Sequence, residues 1–190
     1  MKCLLFLIIL LVSTLSYGQI SESNNNIGIK AGLNVADIRG EETDNFKSRI
    51  SFNISLFLEY PILDNFSVQP ELQYSSQGAK FNLSGVDVVI NLDYFNVPIM
   101  VKYYIYNQFY GQIGPQLGYL VSSNLKAEGQ DQGLGELNKL DVALNVGMGY
   151  QFYKNFLVEA RYNYGFLNTQ KDSRSENFNS VFQFSVGYIF

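Results

Sequence analysis

Histidine and tryptophan are absent from this 190-residue chain, and the single cysteine, Cys3, stands near the amino terminus. The lack of histidine excludes a Ser–His catalytic triad and a histidine-bound metal centre. The lack of a second cysteine excludes an internal disulfide and a cysteine-based zinc site. We therefore expect no catalytic site, no cofactor and no metal centre of these kinds.

A leader is predicted before the folded part of the chain. Lys2 gives a short positive region, Leu4–Leu15 is apolar, and Ser16–Gly18 places small residues at positions −3 and −1. This order is typical of a secretory signal peptide, residues 1–18, which leaves one domain, Gln19–Phe190. Loss of Lys2 lowers the formal net charge from −4 to −5. This mild acidity argues against a nucleic-acid partner.

No later stretch approaches the run of about 20 apolar residues that a membrane helix needs. Instead, apolar and polar residues alternate with a period of two, which is typical of β-strands. Eight such segments begin near Ile27, Ile50, Phe66, Phe95, Phe109, Leu140, Phe156 and Phe178. The fold class predicted is all-β.

The seven connections between these segments alternate long, short, long, short, long, short, long. Transmembrane barrels have an even number of strands, short periplasmic turns and longer outer loops. The pattern therefore predicts an eight-stranded antiparallel up-and-down barrel in the outer membrane, with both termini in the periplasm. The four outer loops expected to carry binding function are Asp37–Ser48, Gln77–Asn91, Ser122–Asn138 and Asn168–Asn177.

Aromatic residues gather at the short-turn ends of the segments, where an interfacial girdle is expected. They are Tyr60, Phe66, Tyr103, Phe109, Phe152, Phe156, Tyr188 and Phe190. A lipocalin-like barrel with its apolar face inward is the alternative, but the opposite face is charged in a pattern. Pro70, Pro98 and Pro115 lack a donor N–H, so we interpret them as bulge sites, with uncertain register between Asp93 and Pro98.

The chain ends on an alternating strand whose apolar face is Phe182, Phe184, Val186, Tyr188 and Phe190. An ordinary edge or sandwich strand has the same period. This strand, however, ends on a carboxyl-terminal phenylalanine. In that it resembles the terminal strand of bacterial outer-membrane barrels, which the barrel assembly machinery recognises. We expect this strand to be an assembly signal.

The face opposite the apolar one carries three cations and three carboxylates: Lys30, Glu59, Glu71, Lys102, Glu159 and Arg161. Barrels of eight strands have interiors just wide enough for side chains or one small ligand. Buried charges need partners. We therefore predict a salt-bridged plug, extended by Gln69, Gln73, Gln112, Gln116 and Asn145. Catalysis by Glu71 or Glu159 is the disfavoured alternative, because structural ion pairs occupy such carboxylates too.

One loop carries Glu128, Asp131 and Glu136 among glycines. Loose Ca²⁺ binding is conceivable for such a loop, but the regular ladder of an EF-hand is missing. A solvated loop is the favoured interpretation.

Three segments resemble a known family: Gly28–Asn34, Glu71–Ser75 followed by Gly78, and Tyr94–Tyr103 with its Y-F-N-V-P-I-M-V-K-Y sequence. They are similar to motifs of the Bacteroidetes outer-membrane β-barrel proteins that include PorT-like members, with an eight-stranded barrel of the OmpA/OmpX type. The founding member is implicated in type IX protein secretion. The resemblance implies a secretion-system or surface protein partner, but it transfers no functional residue.

The function expected is non-enzymatic: a monomeric barrel with a structural, adhesive or secretion-accessory role. Its other partners would be outer-membrane lipid and, during biogenesis, the assembly machinery. A narrow, porin-like channel for small solutes is the second hypothesis. An outer-membrane enzyme is the third, and it is disfavoured by the missing histidine.

Overall fold

The computed structural model describes residues 26–40, 46–83, 85–127, 130–133, 137–169 and 177–190. These ranges contain nine strands. They are β1 Asn26–Gly40, β2 Phe46–Leu63, β3 Phe66–Leu83, β4 Val86–Tyr106, β5 Phe109–Ala127, β6 Gln130–Gly133, β7 Leu140–Phe152, β8 Phe156–Gly165 and β9 Asn177–Ile189. No helix in these ranges is long and apolar enough to cross a membrane. The predicted signal peptide, Glu128 and Glu136 lie outside the described residues.

Eight of the nine strands form a closed antiparallel ring. Each barrel strand pairs with its neighbour along the chain, and β9 returns to pair with β1 from Gly28↔Ile189 to Gly40↔Asn177. The short β6 pairs with the end of β5 and lies outside this ring. The predicted eight-stranded up-and-down barrel is confirmed, and closure leaves the ring without an unpaired edge.

The apolar face of every barrel strand points out of the ring. Leu33, Leu117 and Val186 expose 57%, 65% and 64% of their surface, although all three lie in paired strands. The intervening side chains are buried, as in the sequence Glu71, Gln73, Ser75 along β3. A lipocalin-like barrel, with its apolar face inward, is therefore excluded.

Two of the three short turns contain non-glycine residues with positive φ. Asn107 has φ 38°, and Tyr153 and Lys154 have φ 50° and 64°. The left-handed region is uncommon for such residues, but it lets a very short connection reverse the chain. At the third short turn, β2 continues past Pro61 to Leu63 through a register shift.

The prolines are not bulges, contrary to our prediction. Beside Pro70 the β2–β3 pairing stops at Glu71 and resumes at Val68 in the same register. Pro98 and Pro115 fall in similar gaps of the β3–β4 and β4–β5 pairings, again without a shift. A proline removes one donor from the ladder, so local pairing is lost while the flanking bonds keep the alignment.

The register is nevertheless irregular near the place that was uncertain. The β4–β5 pairing shifts between Asp93 and Tyr94, before Pro98 is reached. A second shift lies between Tyr104 and Tyr106 at the short turn. Since Asp93 pairs with Ser122 where the outward apolar residues end, the shift lies between the apolar-faced barrel and its extension at the long-loop end.

The predicted loop Gln77–Asn91 is mostly paired strand. β3 runs on to Leu83, β4 begins at Val86, and Lys80↔Val89 is one of the pairs of this hairpin. Its β-branched residues Val86, Val88, Val89 and Ile90 favour extended structure. The loops Asp37–Ser48 and Ser122–Asn138 are likewise shortened, because β1 reaches Gly40 and β5 reaches Ala127.

Aromatic rings touch one another around the short-turn end. Ring centroids are 4.8 Å apart for Phe66 and Tyr103, 5.1 Å for Phe156 and Tyr188, and 5.7 Å for Tyr188 and Phe190. A second set of contacts lies nearer the long-loop end: Phe52–Tyr74, Tyr74–Phe95 and Tyr162–Phe182. Two rings of aromatics, one at each interface, are typical of membrane barrels.

Candidate functional site

The six charged residues predicted to face the interior are all buried there. Lys30 lies on β1, Glu59 on β2, Glu71 on β3, Lys102 on β4, and both Glu159 and Arg161 on β8. None exposes more than 6% of its surface. Inward positions on five strands thus converge on one region near the short-turn end, which we call the ionic cluster.

Glu71 is held by two cations. Lys30 Nζ lies 2.8 Å from Glu71 Oε1. Arg161 donates to both oxygens, with Nη2 2.8 Å from Oε1 and Nη1 3.1 Å from Oε2. This two-point contact is the strong geometry for a guanidinium and a carboxylate, and it fixes the orientation of both groups.

Glu159 is also shared between cations. Lys30 Nζ lies 2.6 Å from Glu159 Oε2, Arg161 Nη2 lies 3.3 Å from the same oxygen, and Lys102 Nζ lies 3.8 Å from Oε1. The Tyr110 hydroxyl donates to Oε1 at 2.8 Å. Both oxygens of this carboxylate are therefore engaged.

The third carboxylate completes the cluster on the side of β2. Glu59 Oε2 lies 3.1 Å from Lys102 Nζ. Its Oε1 accepts from the hydroxyls of Ser67 at 2.6 Å and Tyr104 at 2.5 Å. Every carboxylate of the cluster thus has a cation and at least one further donor, which is the arrangement that makes buried charge tolerable.

This geometry disfavours acid–base catalysis by Glu71 or Glu159. A general base needs an oxygen within reach of a substrate proton. Here the side chain of Glu71 is fully buried and both its oxygens accept hydrogen bonds from Arg161. What the arrangement does physically is tie β1, β2, β3, β4 and β8 together through the interior of the barrel.

Aromatic side chains inside the barrel were missed by the sequence reasoning. Lys30 and Lys102 each lie 5.8 Å from the Phe57 ring centre, and Lys102 lies 4.3 Å from that of Tyr110. Cation–π contact at these distances stabilises an ammonium group. The signal available was parity: Phe57 stands between Ser55 and Glu59 on the inward face, although its type suggests the lipid face.

The amides predicted to extend the cluster divide into two groups. Gln69 donates to Glu71 at 2.7 Å, and Gln112 accepts from Arg161 at 3.0 Å. The other three lie in a separate polar layer further towards the long loops, with bonds such as Asn96→Gln73, Asn145→Gln116 and Asn163→Asn145. The polar interior is thus longer than the ionic cluster itself.

Apolar residues occupy the interior at both ends of these layers. Phe57, Leu157 and Ile189 form a small buried group near the short turns. At the other end, Ile38, Ala79, Leu92, Tyr94 and Leu120 form a larger one, which we call the outer apolar cluster. Buried apolar groups therefore flank the polar interior at both of its ends.

A polar recess opens at the short-turn end beside the cluster. It has a volume of about 400 Å³ and is lined by Glu59, Asp64, Ser67, Tyr104 and neighbouring residues. Since Glu59 is already bonded to Lys102, Ser67 and Tyr104, the recess ends on a satisfied carboxylate.

The terminal strand lies with its apolar face outward. Phe182, Phe184, Val186, Tyr188 and Phe190 expose between 40% and 73% of their surface. The backbone N–H of Phe190 donates to the carbonyl of Ile27 at 2.8 Å, which closes the ring at its short-turn end. The assembly role of this strand remains a prediction.

A closed ring of eight antiparallel strands, apolar outside and ionic inside, defines a small β-barrel of the bacterial outer membrane. The chain belongs to the family described as "Outer membrane protein beta-barrel domain", whose family model matches residues 17–171. No curated protein sequence matches the chain.

Solved structures show the same fold. Ail, the attachment invasion locus protein of Yersinia pestis, is similar with a TM-score of 0.53 and 18% identity, covering 87% of this chain and 99% of Ail. Ail in complex with the heparin analogue sucrose octasulfate has a TM-score of 0.53 and 16% identity, covering 87% of this chain and 99% of Ail. Neisserial surface protein A (NspA) has a TM-score of 0.55 and 13% identity, covering 88% of this chain and 98% of NspA.

Proposed function

We propose that this protein is a closed, non-conducting and non-enzymatic barrel that acts through its outer loops or its periplasmic rim. The observation that carries the proposal is the ionic cluster, in which three cations and three carboxylates meet across the barrel. Both termini lie in the periplasm in this proposal, and the barrel is a monomer in outer-membrane lipid.

The energetic reason for a closed state is the cost of opening it. A hydrated ion that passes the cluster must displace contacts such as Lys30–Glu159 at 2.6 Å and Arg161–Glu71 at 2.8 Å. Removal of one partner from a buried pair costs about 3–5 kcal/mol, and the cluster contains several linked pairs. The apolar groups above and below add a second barrier, since they offer an ion no ligands.

The test is conductance of the purified barrel in a planar lipid bilayer. We expect the wild-type protein to be silent, and the double variant Glu71→Ala/Arg161→Ala, which removes both sides of the two-point contact, to conduct intermittently. A general porin serves as the positive control. Steady conductance of porin size by the wild type would refute the closed state and support the alternative of a small-solute channel, which the polar interior favours.

Outer segments are the proposed place of function, because rigid scaffolds commonly present binding loops. The β3–β4 hairpin stands out: its pairing continues through Lys80↔Val89 to Leu83↔Val86, beyond the outward aromatic residues Tyr74 and Phe95. Adhesion is one role supported by the fold shared with Ail, whose name refers to attachment. The likeness is one of fold, so the role itself is our inference.

The second role that we propose, besides adhesion, is an accessory role in protein secretion. It rests on the resemblance to PorT-like proteins of Bacteroidetes. Both roles are tested in one strain set: a clean deletion, the deletion complemented with the full chain, and the deletion complemented with a chain whose residues 80–89 are replaced by Asn-Gly. Secreted proteins that accumulate in the periplasm of the deletion support secretion. Loss of surface attachment with both deletion and shortened hairpin supports adhesion. If neither protein secretion nor surface attachment changes in the deletion strain, both roles are wrong.

A further inference from the structure

The outward side of the sheet changes in character beyond the aromatic residues of the long-loop end. Because β3, β4 and β5 pair side by side, their outward positions form rows that cross all three strands. In order from the barrel to the loops, the rows are Tyr74–Phe95–Tyr119, Ser76–Asp93–Ser122, Gly78–Asn91–Asn124 and Lys80–Val89–Lys126. Val89 is the one apolar side chain in the last three rows. This part of the sheet therefore does not suit hydrocarbon.

A second lysine lies directly opposite Lys80. Lys47 on β2 pairs with Lys80 on β3, and both side chains are exposed. Opposite residues of an antiparallel pair have Cα atoms about 4.5–5.5 Å apart, which is less than the screening length of about 8 Å in physiological salt. Like charges in this position destabilise a sheet. Within the described residues, neither ammonium group forms an ion pair or a hydrogen bond.

The carboxylates on this side of the sheet are engaged elsewhere. Asp93 accepts a hydrogen bond from the Tyr74 side chain, and Arg49 lies close enough to attract it electrostatically. Asp87, in the row beyond the lysines, accepts from Asn82 at 2.8 Å. Neither carboxylate forms an ion pair with the two lysines. The lysine pair therefore calls for an anion from outside the described chain.

The rows lie at the depth of lipid headgroups. Lys80 follows Tyr74 by six residues, which is about 20 Å along a strand at roughly 3.3 Å per residue. For a strand tilt of about 40°, this corresponds to roughly 15 Å along the membrane normal. Aromatic residues mark the interface, so the lysines lie on its outer side. Since they continue the outward side of Leu72 and Tyr74, they face neighbouring lipid and not the barrel interior.

We propose that this surface, which we call the basic face, binds a phosphorylated glycolipid of the outer leaflet. Lys47 and Lys80 hold one sugar phosphate between them, and Ser122, Asn91 and Asn124 offer hydrogen bonds to sugar hydroxyls. A phosphate monoester carries about −1.5 to −2 charges near pH 7, which matches two ammonium groups. Basic clusters at a membrane surface attract anionic headgroups in the same way. The inference rests on the proposed orientation, with the long loops outside.

The test uses the purified barrel in non-ionic micelles, titrated with rough lipopolysaccharide, whose sugars carry phosphates. We expect wild-type binding that weakens as salt is added, because the contact is ionic. Lys47→Gln/Lys80→Gln should weaken binding at least tenfold, and Lys47→Arg/Lys80→Arg should retain it. Lys154→Gln removes an exposed cation at the short-turn end and is the matched control for Lys80→Gln. Circular dichroism checks that each variant is folded.

The same glycolipid with its phosphates removed separates ionic recognition from general association with lipid. We expect the wild type to bind it no more tightly than the Lys47→Gln/Lys80→Gln variant does. The inference is wrong if the wild type binds both forms of the glycolipid equally, or if the double variant binds as the wild type does. Tighter binding of heparin, lost in the same variant, would assign the basic face to a soluble polyanion and overturn the lipid assignment.

A separate measurement tests the orientation on which the inference rests. Cys3 lies in the predicted leader, so Lys80→Cys gives the mature chain one thiol. A membrane-impermeant maleimide should label this thiol in intact cells. Labelling only after lysis would show that the long loops are not outside, and the proposed orientation would fail together with the inference. Labelling in intact cells without glycolipid binding would refute the inference alone.

Discussion

Replacement of Arg161 by methionine should destabilise the barrel strongly. Arg161 donates to Glu71 through Nη1 and Nη2, donates to Gln112 at 3.0 Å, and lies 3.3 Å from Glu159. Methionine keeps much of the side-chain volume but none of these donors. The cluster would then hold three carboxylates against two lysines, in a place with almost no exposure to solvent.

The size of the stability loss depends on which hydrogen-bond and ion-pair partners Glu71 keeps in the variant. Glu71 keeps Lys30 and Gln69, so its oxygens are not left bare, but one net negative charge stays buried. Breaking a buried pair by removing one partner costs about 3–5 kcal/mol. The double variant Glu71→Gln/Arg161→Met restores neutrality, and it should recover about 0.5–3 kcal/mol of that loss, the usual coupling between contacting residues.

Unfolding by guanidinium in phospholipid vesicles, followed by circular dichroism, measures both values. Lys80→Met is the control, because Lys80 is an exposed cation outside the cluster, and we expect a change within about 0.5 kcal/mol. The ionic cluster does not stabilise the barrel as proposed if Arg161→Met also changes the free energy of unfolding by no more than about 0.5 kcal/mol. The same conclusion follows if the double variant is less stable than the single one, since charge balance would then not be what stabilises the cluster.

Three further changes test other parts of the fold. Gly149→Val should cost about 1–3 kcal/mol, because a Cβ atom there would lie 2.4 Å from the Tyr110 ring. Leu117→Arg should lower the free energy of unfolding in vesicles by about 2–4 kcal/mol, and Leu63→Arg by about 0–1 kcal/mol. Both leucines are 65% exposed, but only Leu117 lies at mid-membrane depth. Phe190→Ser should reduce barrel insertion in cells several-fold while leaving refolding of the purified protein nearly unchanged.

Each of these changes has a matched control and a result that would contradict it. Gly111→Ala has open space, with its nearest atom at 4.0 Å, so it should be close to neutral. Equal costs for the two leucine variants would argue that the outward belt does not face lipid. Phe166→Ser removes another exposed aromatic residue, one outside the terminal strand. If it impairs insertion as much as Phe190→Ser, the terminal strand has no special assembly role.

The sequence alone determined the barrel class, the direction of its faces and six of the inward charges. The reason is that these properties depend on a local period of two and on connection length, both visible in a single chain. Lys30, Glu71 and Arg161 fall on inward positions by counting alone. Asp141 lies on the inward face of β7 and is buried, but it was not among the six charges predicted to face the interior.

Only the closed ring decided which groups meet. Lys30 and Glu159 are 129 residues apart in sequence and 2.6 Å apart in space, because β9 pairs with both β1 and β8 and so places these two strands on either side of it. The stagger between tilted strands sets that meeting, and nothing local encodes it. For the same reason the prolines cost local pairing but no register, since partners on both sides hold each strand in alignment.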